Sequence, residues 1–351
     1  MTGRRTRKSG KRACRTLALL FLTLSMVAAA CGGKHGARSD REIDRDVEQG
    51  LESGLDDAGD PVRGGKVVYG LEAETENGWC LSDALLAISG IQVARTIYDT
   101  LTVPDSERGY TPYLAESFEH NDAYDEWTFK LRSGVTFHNG SSLDAEVVKN
   151  NFDAYRGAYP GRSAPLFTSV LENLESVEVV DDLTVRFHTV EPWIAFPGFV
   201  YGSGRLGIMA QEQLDDKKSC NTNLIGTGPF KKKEWVRNRR FVAVANRDYW
   251  YDAPDEEPYP YLDEIEYRPI AEGAQRLNAL QSGEIQAMHT SSASQILALR
   301  DDVAAGSANL LESDRFGEVY YLMLNSQKPP LDDVRIRKAL QIGIDRDLLS
   351  R

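Results

Sequence analysis

The stretch "EWTFKLRSGVTFHNGSSLDAEVV" (Glu126–Val148) changes its hydrophobic rhythm part-way, and that change limits what the chain can fold into. Trp127, Phe129 and Leu131 alternate with Thr128, Lys130 and Arg132, the period of a half-buried strand. Ser133-Gly134 interrupts the alternation and Val135–His138 resumes it, which predicts a hairpin. Asn139-Gly140 then offers a turn where positive φ is easily reached. Asp144 is placed to cap a helix, Glu146 suits its first turn, and Val147, Val148, Phe152 and Tyr155 follow at helical spacing. A strand–turn–strand–turn–helix unit demands mixed α/β architecture. With 351 residues there is chain for two or three domains with real cores.

The N-terminus reads differently. Residues 1–16 carry seven Lys and Arg and no acid, and an apolar run from Leu17 to Ala30 follows. This is the layout of a signal peptide at 1–30, too short and one-sidedly flanked for a membrane-spanning helix. Ala28-Ala29-Ala30-Cys31-Gly32 is similar to a bacterial lipobox, whose cysteine is acylated and becomes the mature N-terminus. An ordinary secreted protein with an incidental cysteine is the alternative. Removing the leader takes seven of 41 basic residues and leaves 34 against 53 acids, a net charge of −19. Such a chain is not expected to bind nucleic acid, whose phosphates reward the opposite sign. Residues 31–61 have no aromatic residue and few large aliphatics, so they read as a flexible acidic tether.

With Cys14 in the leader and Cys31 at the lipidation position, Cys80 and Cys220 remain. Outside the cytoplasm a disulfide is the simplest use for them; two buried thiols are the alternative. Other elements follow by pattern: a strand over Lys66–Leu71, a loop with Glu72, Glu74, Glu76 and Trp79, and a helix in "LLAISGIQVARTIYDTL" bent near Gly90. "LESVEVVDDLTVRFHTV" reads as two strands hinged at Asp181-Asp182, and "EPWIAFPGFV" as an irregular crossing. A hairpin turning near Arg237-Asn238, a strand in "LDEIEYRPI" and a helix closed by Gly283 come next. "VYYLMLN" reads as a buried strand, and Asp332 as the cap of a helix carrying Val334, Ile336, Leu340 and Ile344.

Catalytic motifs are hard to find. His35, His120, His138, His188 and His289 never stand at i, i+4, and neither H-E-x-x-H nor C-x-x-C occurs. "GTGPF" lacks the lysine of a phosphate loop, and the "GSGR" around Ser203 lacks G-x-S-x-G. A secreted hydrolase lipoprotein is therefore the second reading rather than the first.

"LAESFEHNDAYDEWTFKLRSGVTFHNGSSLDAEVVKNNFD", "GTGPF…W…NRDYW", "RLNALQSGEI" and "YYLMLNSQKPPLDDVRIRKALQIGIDR" together resemble solute-binding protein family 5, the dipeptide- and oligopeptide-binding components of ABC importers. The resemblance covers nearly everything from Lys66 onward. It implies a two-lobed fold of the periplasmic-binding-protein type II kind, with an extra small domain on the first lobe. The expected organisation is a first lobe over 62–270, with the small domain at about 95–200, and a second lobe beginning at 271–351. Because the sequence stops shortly after the "IDR" motif, that second lobe is expected to be incomplete. The implied function is extracytoplasmic binding of a peptide or related small solute in the interlobe cleft and delivery to permease subunits, by a monomer anchored through lipid on Cys31 and using no cofactor. Glu72, Glu76 and Trp79 after the first strand, and Tyr321 and Asn325 at a later strand end, are the implied ligand-binding residues. His138 is expected to be structural. Gln286 departs from the family pattern, which has aspartate there.

Overall fold

In a computed structural model the described residues are 61–75, 77–105, 109–311 and 322–345. The leader, the tether, Cys31, Glu76 and Tyr321 lie outside them. The chain divides into two compact units, Met1–Glu312 and Ser313–Arg351.

The first unit opens with strand β1 (Lys66–Leu71) and helix α1 (Ile88–Ile97), which runs through Gly90 without the expected bend. A short ribbon, β2 (Thr102–Pro104) and β3 (Tyr110–Pro112), leads to β4 (Ala115–His120) and β5 (Glu126–Leu131). Helix α2 (Ala145–Tyr155) is followed by β6 (Leu174–Asp181) and β7 (Thr184–Thr189), and then by the short helices α3 (Phe196–Tyr201) and α4 (Gln211–Asp215). Strands β8 (Phe230–Val236), β9 (Arg240–Ala245) and β10 (Glu264–Pro269) precede α5 (Gly273–Gln281), β11 (Ala287–Met288) and α6 (Ala293–Ala304).

Two sheets organise these elements. One is five-stranded in the order β11-β1-β10-β9-β8, with β1 parallel to both β10 and β11 and the remaining pairs antiparallel. The other is four-stranded in the order β4-β5-β7-β6, all antiparallel. Trp127, Phe129 and Leu131 of β5 are buried as their alternation predicts, with Phe187 of β7 packed edge-on to Phe129 at 5.3 Å. Because β11 joins the sheet of β1, helix α5 and strand β11 fall in the same compact unit as β1.

The hairpin expected between β5 and Val135–His138 does not form. The neighbours of β5 are β4 and β7, and the later stretch makes only an isolated bridge between Thr136 and Ser142. An alternating pattern reports which face is buried but not which strand supplies the edge. The rest of that unit is as expected. Gly140 has φ +84°, and the Asp144 carboxylate accepts from Val147 N at 2.8 Å as an N-cap. "EPWIAFPGFV" contains α3 after all, because Pro197 falls in its first turn, where no intrahelical N–H is needed.

The second unit contains α7 (Val334–Gly343). Its cap is Asp333, which accepts from Arg335 N at 2.8 Å, rather than Asp332. Leu322–Asn325, the described part of "VYYLMLN", is neither a strand nor buried. Among the described residues no helix is long and apolar enough to cross a membrane.

Candidate functional site

The three parallel strands β1, β10 and β11 point their C-terminal ends the same way. In open α/β sheets ligands bind in the crevice outside such ends. Glu72, Ile270 and His289 are the residues that leave these three strands there. The Glu72 side chain is 32% exposed, and its Oε1 accepts from Arg276 Nη2 at 3.3 Å. Arg276 comes from α5 and is only 3% exposed; its Nη1 donates to the Ile270 carbonyl at 2.7 Å, so the guanidinium joins two strand ends. His289 Nδ1 sits 3.7 Å from Glu72 Oε1, beyond hydrogen-bond length, and is buried with no hydrogen-bond partner among the described residues. Tyr69, near the end of β1, has its hydroxyl pKa pushed up to about 12, first by burial and then by the Glu72 charge.

The loop after Glu72 is held from several sides. Glu74 Oε2 accepts from Trp235 Nε1 at 3.1 Å and from Asn238 N at 3.2 Å, which ties the loop to the β8–β9 turn. Trp79 is 1% exposed and packs edge-on against Trp235 and Phe241 at 5.8 and 5.2 Å, so it supports the loop from below instead of lining an open surface. Cys80 and Cys220 form a disulfide with Cα atoms 5.1 Å apart. Asn221 reinforces it by accepting from Cys80 N through Oδ1 at 3.1 Å and from Trp79 N through its carbonyl at 3.2 Å.

Of the residues named from sequence, Glu72 therefore stands at the strand ends and Trp79 beneath the loop. Asn325 is exposed in the second unit, where its Oδ1 accepts from Gln327 N at 3.0 Å. Glu76 and Tyr321 lie outside the described residues. Arg276, His289 and the clamp formed by Glu74 were not singled out. The signal for Arg276 was an arginine opening an amphipathic helix directly after a parallel strand, and for His289 a histidine one residue past a short strand.

A second polar centre lies at the opposite end of the strands, since β9 runs antiparallel to β10 and ends beside its start. Asp99, 4% exposed, accepts from Thr227 Oγ1 at 2.9 Å, Trp250 Nε1 at 3.0 Å and Tyr249 OH at 3.1 Å. Burial raises its pKa to about 6 against the pull of those three donors. The threonine of "GTGPF" and the aromatic pair of "NRDYW" thus converge on one buried carboxylate. His138 serves the same loop: Nε2 donates to Gly228 O at 2.9 Å while Nδ1 accepts from Gly226 N at 3.4 Å. Burial lowers its pKa to about 4, so it is a neutral clasp near pH 7. Both glycines are required, because a Cβ on Gly226 would collide with the Ile97 carbonyl oxygen and one on Gly228 would lie 2.6 Å from its carbon.

Residues 109–351 match the family described as bacterial extracellular solute-binding proteins, family 5 Middle. The chain belongs to that family. It is 27% identical over 276 residues to the periplasmic oligopeptide-binding protein OppA of Escherichia coli, covering 73% of this chain and 49% of OppA. Identity to the glutathione-binding protein GsiB of Pectobacterium atrosepticum is 27% over 291 residues, covering 78% and 54%. The periplasmic binding protein DppA of Helicobacter pylori, solved with the peptide STSA, superposes with a TM-score of 0.58 at 26% identity, covering 69% and 49%. The chain thus spans about half the length of the curated relatives it matches. Like these neighbours, it has the mixed α/β architecture of two-lobed type II binding proteins.

Proposed function

We propose that this protein is the extracytoplasmic solute-binding component of an ABC importer, taking a peptide or related small solute and passing it to permease subunits. The observation that carries the reading is the crevice edge made by Glu72, Arg276 and His289 at the ends of three parallel strands, in a chain of a solute-binding family. Glu72 Oε1 is engaged by Arg276, and none of the described residues donates to its Oε2, so a solute ammonium or amide has an acceptor held in place. The arrangement offers hydrogen bonds and charge at the strand ends, which is what recognition of a polar solute needs. The peptide-binding relatives and the peptide-bound DppA structure favour a peptide as solute.

In this reading the protein acts as a monomer anchored by lipid on Cys31, with 1–30 removed and 31–61 as tether. The first lobe spans 62–270 with its small domain at about 95–200, and the second lobe begins at 271. In the first unit Glu76 joins Glu72 as a ligand contact, with Trp79 supporting their loop; Tyr321 and Asn325 are the contacts proposed in the second unit. Titration of the full-length receptor with peptides, followed by tryptophan fluorescence, tests it. Glu72→Gln should weaken saturable peptide binding by about tenfold, the scale of one charge-assisted hydrogen bond. Binding unchanged in Glu72→Gln would remove this edge from the solute site.

A further inference from the structure

A cleft of about 530 Å³ opens among Glu116, Arg132, Ser133, Trp250, Tyr251 and Asp252. It lies at the Asp99 end of the five-stranded sheet, since Trp250 follows the end of β9, which runs beside the start of β10. Its walls are a joined aromatic group: Trp250 and Tyr251 sit 5.3 Å apart, and Tyr113 packs edge-on against both at 5.0 and 5.6 Å. Trp250 is fixed from behind by its hydrogen bond to Asp99.

Arg132 is the unusual member. Its Nε donates to the Tyr113 carbonyl at 2.6 Å, its backbone N donates to Leu114 O at 3.0 Å, and its Cζ lies 5.4 Å from the Trp250 ring centroid. The guanidinium is thereby oriented, yet among the described residues neither Nη nitrogen has an acceptor. An oriented fork with two free NH₂ groups matches the geometry of a carboxylate. Carboxylates also flank the cleft. Glu116 is paired with Lys130 at 3.0 Å, while Asp252 is exposed and has no cationic partner among the described residues. A plain anion would meet the Asp252 charge, whereas a zwitterion would satisfy both signs.

We propose that this cleft binds a small α-amino carboxylate with an apolar side chain. The carboxylate lies on Arg132, the ammonium faces Asp252, and the side chain rests on the Trp250–Tyr251 wall. It is a second site, separate from the crevice at Glu72, and it stands whether or not that crevice is the solute site.

Phenylalanine is the probe, titrated into the full-length protein by calorimetry, with N-acetylphenylalanine and phenethylamine as analogues lacking one charge each. Phenylalanine should bind saturably, and each analogue about tenfold more weakly or worse. Asp252→Asn, an exposed position whose change leaves the core untouched, should weaken phenylalanine about tenfold while N-acetylphenylalanine, relieved of a like charge, binds more tightly. Arg132→Lys should weaken phenylalanine and N-acetylphenylalanine together. In NMR spectra the Trp250 indole N–H should shift on binding. Absence of saturable binding, affinities indifferent to both substitutions, or shifts confined to the surroundings of Glu72 and His289 would overturn the proposal.

Discussion

Asp99 makes a quantitative prediction possible, because a carboxyl buried among three donors must record its burial in the pH dependence of stability. Its folded pKa is raised from 3.8 to about 6. A raised carboxyl favours the protonated form in the fold. Its stabilising contribution is therefore full below the unfolded pKa and lost as pH rises through the folded one. Taken through the whole window the shift is worth about 3 kcal/mol, at about 1.4 kcal/mol for each pH unit between the two pKa values. Between pH 7 and pH 5 the gain from this group alone is about 1.4 kcal/mol. Raw pH curves do not isolate it, because His138 acts oppositely. Its pKa is lowered to about 4, so its contribution is present above the unfolded value and falls away as pH drops toward 4.

Asp99→Asn removes the titration at nearly constant shape. An amide oxygen in the place of Oδ2 keeps the bonds from Thr227 and Trp250. The amide NH₂ can donate to Tyr249, whose hydroxyl lies 2.6 Å from that of Tyr113 and can donate to it. Urea unfolding of wild type and Asp99→Asn at pH 7 and pH 5 gives four free energies. The wild type should gain about 1.4 kcal/mol relative to the variant on going to pH 5. A difference within 0.3 kcal/mol of zero (roughly the additivity error of such cycles), or one of opposite sign, would refute the reasoning.

Other expectations are simpler. Replacing both Cys80 and Cys220 by Ala should destabilise by about 5 kcal/mol, since the bridge closes a separation of 140 residues. Thermal unfolding followed by circular dichroism should show the midpoint fall by roughly 10–20 °C, and a fall of only a degree or two would mean that the loop is already ordered without the bridge. Substituting His138 with Phe removes both contacts to the GTG loop and should speed hydrogen exchange at Gly226 and Gly228; unchanged protection there would show that the clasp is dispensable. Asp333→Ala should reduce the helicity of α7 by the worth of one N-cap, about 1 kcal/mol, measurable by local amide exchange, and no change would make the cap idle.

Where the sequence was legible, short-range physics carried the information. The Asp144 cap, the turn at Gly140 and the buried alternation of β5 each depend on neighbours within a few residues. Strand partners did not yield in the same way. Nothing local tells β5 to pair with β7, whose Thr184–Thr189 lie far along the chain. Asp99 was passed over because an acid at the end of an apolar helix reads as a surface residue until Thr227, Tyr249 and Trp250 are folded onto it. At the crevice, Glu72 stood out as one of several acids in a loop. Arg276 and His289 gain meaning only once β10 and β11 flank β1 in parallel.

The central claim is solute capture without chemistry, and what the protein carries when isolated tests it most directly. Full-length protein purified from its host under native conditions, then denatured and analysed by mass spectrometry, should release a stoichiometric small solute. Peptides added back should be retained and recovered uncut, with occupancy reduced in Glu72→Gln. Protein that releases nothing, binds no peptide or other small solute saturably, or returns the peptide cleaved would contradict the account.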